Sequence, residues 1–347
     1  MAANANLHKA KKAKNDEFYT QLTDVTKELM HYKHHFKDKI VYCNCDDPTW
    51  SAFWKYFHLN FEALGLKKLI STHYDKTEPT YKMVYTGGDD NDIEVGVKTP
   101  LEGNGDFRNQ ECLDLLDEAD IVVTNPPFSL FREYVAVLME HEKKFLIIGN
   151  PNAVTYKEFF PLLKTNQVWV GTKPWSAEMY FGVPKEQEEY LVAHKKEGSA
   201  YVIKDGQVLG RVATSWFTNL DYAERHEKKL ILRKKYSPEE YPTYGNYDAI
   251  NVDKISDIPC DYDGVMGVPI TFLDKYNPDQ FEILGMPASA DTMGKPVQLG
   301  DAFMKEYRKQ GGTGHFSANM YGVWYFDNKG KAKVPYVRIL IRKKVGS

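Results

Sequence analysis

Between residues 39 and 149 the chain repeats one pattern: a short aliphatic or β-branched run, then a stretch with apolar residues three or four positions apart. Residues 39–44 (KIVYCN), 68–73 (KLISTH), 120–124 (DIVVT) and 144–149 (KFLIIG) have the length and composition of buried strands. Residues 50–64, 111–120 and 130–141 have helical spacing, the first through Trp50, Phe53, Trp54, Phe57, Phe61 and Leu64 with Gly65 as its stop. A strand that must bury both faces needs helices on both sides, so this alternation predicts an α/β fold with a doubly wound, mostly parallel sheet. In such a sheet ligands bind beyond the carboxyl ends of the strands.

Past Val168 the pattern changes to short β-like runs separated by turn signals: residues 167–171 (QVWVG), 200–210 (AYVIKDGQVLG), 214–220 (TSWFTNL) and 229–235 (KLILRKK). Lys204-Asp205-Gly206 between two alternating runs predicts a hairpin. Residues 237–247, rich in Pro, Tyr and Gly, mark a boundary, giving a catalytic region 1–235 and a second region 236–347 with a strand at 337–341. The 42% hydrophobic and 27% charged residues are those of a water-soluble globular chain. No apolar run reaches the roughly 18 residues of a bilayer span, and the lysine-rich start has no secretory character. Cys43, Cys45, Cys112 and Cys260 read as reduced thiols, with Cys43 and Cys45 on one strand face. Two thiols fall short of the four ligands of a structural zinc site.

The net charge of −3 argues weakly against a polyanion as partner, but phosphate contacts are local. Three basic clusters stand out: Lys9, Lys11, Lys12 and Lys14; Arg225, Lys228, Lys229, Arg233, Lys234 and Lys235; and Arg338, Arg342, Lys343 and Lys344. Each reads either as a solvated face or as a nucleic-acid contact.

Asn125-Pro126-Pro127-Phe128 follows directly on the run IVVT, at the carboxyl end of a strand. Two prolines fix the backbone and remove two donors, leaving carbonyls to accept. The Asn125 side-chain oxygen and the Pro126 carbonyl can then accept from one planar amino group, with its nitrogen lone pair turned toward an electrophile. Two acceptors stabilise the positive charge that grows on that nitrogen. Phe128 can stack on a flat ring. The bland reading is a Pro-Pro turn that ends a strand.

With this motif stand residues 14–21 (KNDEFYTQ), 41–48 (VYCNCDDP), 105–108 (GDFR), 120–131 (DIVVTNPPFSLF), 144–148 (KFLII) and 247–272 (YDAIN through DGVMGVPITF). Together they resemble the EcoRI-type adenine-specific DNA methyltransferases. The resemblance implies a Rossmann-like S-adenosylmethionine-dependent methyltransferase fold, closed by a C-terminal β-hairpin and followed by a target-recognition region. It implies methyl transfer from S-adenosyl-L-methionine, leaving S-adenosylhomocysteine, to the N6 amino group of an adenine flipped out of duplex DNA. A duplex hides that nitrogen from any enclosed pocket, so the base must be extruded and restacked. Asn125, Pro126, Pro127 and Phe128 become the catalytic residues. Asp16, Phe18, Tyr19 and Thr20 match the segment that folds over the methionine end of the cofactor. Asp46, Asp47 and Pro48 match the first cofactor loop, with either acid able to face it. Asp106 and Phe107 match the block that reads the cofactor adenine. Asp75 is the near candidate for a ribose-binding acid. Trp216 and Phe217 join Phe128 as candidates for stacking on the target base, a core role being the equal alternative. Where many relatives continue the first loop with glycines, this chain has Thr49-Trp50-Ser51-Ala52.

The resemblance further implies double-stranded DNA as partner, no metal, no membrane, a monomer, and the cytoplasm of a bacterial or phage-infected cell. It suggests the modification arm of a restriction–modification system, or a phage or orphan relative, and points to GAATTC with its inner adenine as target. Asn246, Asn251, Asn277, Gln280, Gln298, Arg308 and Gln310 are the candidates for reading base edges. Two other readings remain open: methylation of an RNA base or protein amide, and a catalytically silent DNA-binding relative.

Overall fold

The computed structural model describes residues 19–347 except 46, 76–77, 89–91, 93–94, 289–292, 294–296, 315, 345 and 347. The lysines at 9, 11, 12 and 14 lie outside the described residues. The chain divides into two compact units, residues 1–153 with 169–222 and residues 154–168 with 223–347.

The first unit is built on β1 (Ile40–Cys43), β2 (Lys68–Thr72), β3 (Tyr81–Tyr85), β4 (Val97–Pro100), β5 (Ile121–Thr124), β6 (Lys144–Gly149), β7 (Trp169–Val170) and β11 (Ser215–Thr218). They form one sheet in the order β4-β3-β2-β1-β5-β6-β11-β7. The four central strands, β2, β1, β5 and β6, run parallel. Antiparallel strands extend both edges: β3 and β4 on one side, β11 and β7 on the other. A second, three-stranded antiparallel sheet holds β8 (Met179–Gly182), β9 (Tyr201–Lys204) and β10 (Gln207–Val212). Its β9–β10 hairpin turns at Asp205 and Gly206, both at positive φ, as the Lys204-Asp205-Gly206 signal requires.

The period of two along the strands separates the layers. Val41 and Cys43, Ile121 and Val123, Leu146 and Ile148, and Trp216 share one core cluster with Val25 and Leu29 of the helix Leu22–Leu29 and with Phe53, Trp54 and Phe57 of the helix Ala52–Leu59. On the alternate positions Phe217 meets Phe131 of the helix Phe131–Glu140 with ring centroids 5.5 Å apart. Helices therefore cover both faces, as expected of a doubly wound sheet. The predicted helix over 50–64 is two, Ala52–Leu59 and Phe61–Leu64, parted at Asn60 and stopped by Gly65 at φ +63°. Cys45 does not share a strand face with Cys43: β1 ends at Cys43, and Cys45 lies in the following turn at φ +70°.

The second unit carries a four-stranded sheet in the order β12-β13-β17-β14, from β12 (Ile250–Asn251), β13 (Met266–Pro269), β14 (Phe281–Gly285) and β17 (Arg338–Lys343), plus a hairpin of β15 (Tyr325–Phe326) and β16 (Ala332–Lys333). The strand expected at 229–235 is not one. Its backbone pairs instead with a side chain: the Leu230 N–H donates to Gln280 Oε1 (2.7 Å) and Gln280 Nε2 donates to the Leu230 carbonyl (2.8 Å). A buried amide thus replaces a ladder partner, leaving an isolated bridge from Lys234 to Pro259.

Candidate active site

In the central sheet β1 has β2 on one side and β5 on the other, so the chain reverses its direction of winding between them. A crevice opens at the carboxyl ends of such a strand pair. Asn125, Pro126, Pro127 and Phe128 occupy it from the β5 side. Thr124, fully buried at the end of β5, donates its hydroxyl to the Asn44 carbonyl at the end of β1. Asn44 is itself buried, and its Oδ1 accepts from the Tyr134 hydroxyl. Asn44 therefore ties three pieces together: the β1 loop, the end of β5 and the helix that follows Phe128. The Oδ1 of Asn125 is buried. Phe128 opens a short 3₁₀ turn, Phe128–Leu130, and is half-buried with its ring against the core cluster.

Across the crevice, Asp47 is held from three directions. Its Oδ1 accepts from the Thr49 amide (2.8 Å), the Thr49 hydroxyl (2.6 Å) and the Tyr81 hydroxyl (2.7 Å). Its Oδ2 lies 3.2 Å from His73 Nδ1. Burial raises the pKa of the carboxyl, but the hydrogen bonds from Thr49 and Tyr81 outweigh it and hold Asp47 below the usual carboxylate range. Tyr81 stands on β3 and His73 directly follows β2, so strand pairing brings these partners in from 26 and 34 positions away. The helix after this loop starts at Ala52, capped by the Ser51 hydroxyl accepting from the Phe53 and Trp54 amides (3.2 and 3.3 Å). Ser51 thus caps the helix that leaves this loop.

The GDF block lies against the loop after β2. Asp75 N–H donates to the Asn104 carbonyl at 3.2 Å. Gly105 has φ +74°, and a Cβ there would stand 2.2 Å from the His73 carbonyl oxygen, so only glycine lets these backbones approach. Asp106 accepts from Arg108 through both oxygens, Oδ1 from Nε at 2.9 Å and Oδ2 from an outer guanidinium nitrogen at 2.7 Å. Those bonds hold its carboxyl low against the effect of burial. Arg108 also reaches Glu133 at 2.7 Å. Phe107 is buried, edge-on to Tyr134 at 4.9 Å. Asp75 Oδ1 accepts from the Glu78 amide at 3.0 Å, closing its own turn.

Asp16, Phe18 and Asp46 lie outside the described residues. Tyr19 exchanges two backbone hydrogen bonds of 2.9 Å with Gly182 on β8, and its ring packs edge-on against Trp50, beside the Asp47 loop, at 4.5 Å. The Thr20 hydroxyl is buried. Trp216 and Phe217 do not line the crevice. They are 1% and 0% exposed on opposite faces of β11, packed against Phe53 and Phe131. This packing on both faces favours the core alternative for the two rings over stacking on an extruded base. Asn44, His73, Tyr81 and Tyr134 were not singled out from the sequence. Each acts through a partner at least 26 positions away, and single-sequence spacing carries no signal for that.

Residues 6–344 match the family described as adenine-specific methyltransferase EcoRI. The chain belongs to this family. It is 46% identical over 303 residues to the type II methyltransferase M.EcoRI of Escherichia coli, covering 84% of this chain and 91% of that protein. It is 42% identical over 280 residues to the type II methyltransferase M.MpnI of Mycoplasma pneumoniae, covering 80% and 84%. It is 39% identical over 283 residues to M.MgeORF184P of Mycoplasma genitalium, covering 80% and 85%.

Methyltransferases of this family use S-adenosylmethionine, and the chemistry of the residues around the crevice fits that group. Two carboxyls held in their ionised form, Asp47 and Asp106, suit a ligand with a cationic amino group, a sulfonium and an adenine donor. The close approach at Gly105 brings the Asp106 loop beside the loop after β2. Among the described residues no three His, Cys, Asp or Glu side chains group to hold a metal ion, and no helix is long and apolar enough to cross a membrane.

Proposed function

We propose that this protein methylates the N6 amino group of an adenine extruded from a specific site in duplex DNA. One observation carries the reading. Asn125-Pro126-Pro127-Phe128 ends β5 at the switch point, and Asn44 ties it to the loop of the ionised Asp47. S-adenosylmethionine, when bound, supplies an electrophilic methyl on its sulfonium. Asn125 Oδ1 and the Pro126 carbonyl accept the two N6 hydrogens and turn the nitrogen lone pair toward that methyl. Phe128 covers one face of the base. The new N–CH3 bond forms as the S–CH3 bond breaks, S-adenosylhomocysteine remains, and one N6 proton passes to solvent. Positioning and charge stabilisation supply the catalysis, without a strong base. Asp47, Asp106 and Phe107, with Tyr19 and Thr20, hold the cofactor. We assign sequence reading to the second unit, because one sheet rim can seat an adenine but cannot reach several base pairs of major groove. The relatives' designation as type II methyltransferases supports a modification enzyme with a fixed site, and GAATTC is the first site to test.

The test is transfer of labelled methyl from S-adenosylmethionine to duplex DNA with and without GAATTC, followed by mapping of modified bases. N6-methyladenine at a fixed sequence is the expected product. Label appearing only in structured RNA or in protein refutes the reading. Exchanging the second unit with that of a relative of different target site tests the division of labour. An active chimera that still methylates the original sequence refutes it.

A further inference from the structure

Part of the basic charge legible in the sequence of the second unit is paired or buried by the fold, while Lys228, Lys229, Arg233 and Lys235 stay exposed. Arg225 is buried and bonds Asn166. Lys234 pairs with Asp257 at 3.5 Å. Arg338 pairs with Asp253 at 3.3 Å, Arg342 with Glu282 at 2.5 Å and Lys343 with Asp263 at 3.5 Å. A different concentration of positive charge emerges in the chain between β14 and β17. These two strands are paired antiparallel, yet the connection from Met286 to Val337 is a small folded module. It has its own core of Leu299, Phe303, Met304, Trp324 and Ala332. It holds seven Lys and Arg against four Asp and Glu, inside a chain whose net charge is −3.

Gln310 brings these cations together. It follows the helix Gly300–Lys309, and its side chain is fastened at both ends to the β15–β16 turn: Nε2 donates to the Gly330 carbonyl (3.0 Å), and Oε1 accepts from the Ala332 amide (2.9 Å). The last helical turn, with Arg308 and Lys309, is thereby set beside Lys329, Lys331 and Lys333. All five side chains belong to exposed residues. Among the described residues two of them form ion pairs: Glu306 lies 3.9 Å from Lys309, and Asp327, whose carboxylate also accepts from the Lys329 and Lys331 amides, lies 3.9 Å from Lys333. Among the described residues Arg308, Lys329 and Lys331 form no ion pair. Cations at a helix C-terminus are favoured by its dipole, but gathering five like charges on one surface is not. The amide that could have read a base edge is committed to the clamp, so the patch presents charge without a sequence-reading group. Such a surface positions a nucleic acid without specifying its sequence.

We propose that Arg308, Lys329 and Lys331, assembled by Gln310, bind backbone phosphates of the DNA substrate outside the base pairs that are read. This rests on the reading of duplex DNA as substrate. The experiment compares the full-length protein with R308A/K329A/K331A, measuring affinity against salt for a long target duplex and one trimmed close to the site. If three phosphates are contacted, the slope of log affinity against log salt falls by about 2.7, at roughly 0.9 per phosphate. The loss is confined to the long duplex. Saturated turnover and the methylated sequence stay unchanged. R308K/K329R/K331R, which keeps the charge, retains the parent slope. An unchanged slope in the alanine variant overturns the proposal, as does an equal fall in the charge-conserving variant, which would indicate lost packing. The single variants K329A and K331A, on an exposed turn, read the same effect at about one unit of slope each should the triple variant misfold. If the parent protein methylates no DNA, the functional reading fails instead, so the two failures are distinct.

Discussion

Replacing Tyr81 by Phe removes one hydroxyl from the Asp47 carboxylate, and with it that hydroxyl's contact with Thr49. The ring keeps its place on β3 and its contact with His73, whose centroid lies 5.3 Å away. The lost bond is 2.7 Å long, and the Asp47 side chain is 14% exposed, so solvent replaces it poorly. A hydrogen bond to a charged group contributes about 1.5–3 kcal/mol, and partial access of water favours the lower end. If that energy keeps Asp47 aimed at the cofactor, affinity for S-adenosylmethionine falls about tenfold, since ~1.4 kcal/mol is a factor of ten. Turnover at saturating cofactor changes little, because Asp47 does not touch the adenine amino group.

The pH dependence has a definite sign. Asp47 is depressed in the folded protein, so its stabilising contribution is present above its unfolded pKa and is lost as pH falls through the folded one. Removing the Tyr81 bond raises the folded pKa and shrinks that contribution, so acid unfolding of Tyr81→Phe begins at higher pH than in the parent. Calorimetric titration with S-adenosylmethionine, saturated turnover and an acid-unfolding series together decide the matter. Unchanged cofactor affinity in a folded variant would refute the assignment of Asp47. An unchanged acid profile would show that the Tyr81 bond does not hold its charge.

Asn125→Ala should lower kcat about 10²–10³-fold, the usual consequence of removing one preorganised group that stabilises transition-state charge, with cofactor binding preserved in calorimetry. Asp106→Ala should weaken cofactor affinity more than saturated turnover, and equal affinity would leave Asp106 as a partner of Arg108 alone. Gly105→Ala should lower thermal stability and cofactor affinity together: left-handed backbone costs an alanine roughly 1–2 kcal/mol, and its Cβ meets the His73 carbonyl at 2.2 Å. Gln280→Ala, which strands the Leu230 N–H and carbonyl, should destabilise the second unit by about 2 kcal/mol in denaturant unfolding. A near-parental midpoint would show that water replaces that amide freely.

Several side chains that looked available in the sequence are structural in the fold. Asn277 and Gln280 are buried and bond backbone groups. Asn251 is buried and accepts from Tyr244 and Arg338. Asn246 donates to the Gln298 and Gly322 carbonyls and accepts from the Trp324 amide. The amide inventory of the second unit, read as a set of base-edge contacts, is in large part what holds a loop-rich unit together. A polar residue in a region of few strands has backbone groups to satisfy, and nothing local in the sequence distinguishes that task from recognition.

The chain's own order of residues determined the parallel core and the place proposed for the chemistry. Strands β1, β2, β5 and β6 were legible because a strand buried on both faces is an unbroken apolar run, and helices between such runs leave one topology class. Asn125-Pro126-Pro127-Phe128 was legible because the role proposed for it depends on four consecutive residues at a strand end. The tertiary structure alone decided what depends on distance along the chain. It sent Trp216 and Phe217 into the core, since a two-residue alternation says which positions share a face but not what covers it. It brought Tyr81 and His73 to Asp47 and joined Asn44 to Thr124 and Tyr134, because strand pairing sets those contacts. It paired or buried part of the visible basic charge and assembled a further group of cations around Gln310. Charge in a folded protein is a matter of what lies within a few ångströms, and sequence proximity is a poor measure of that.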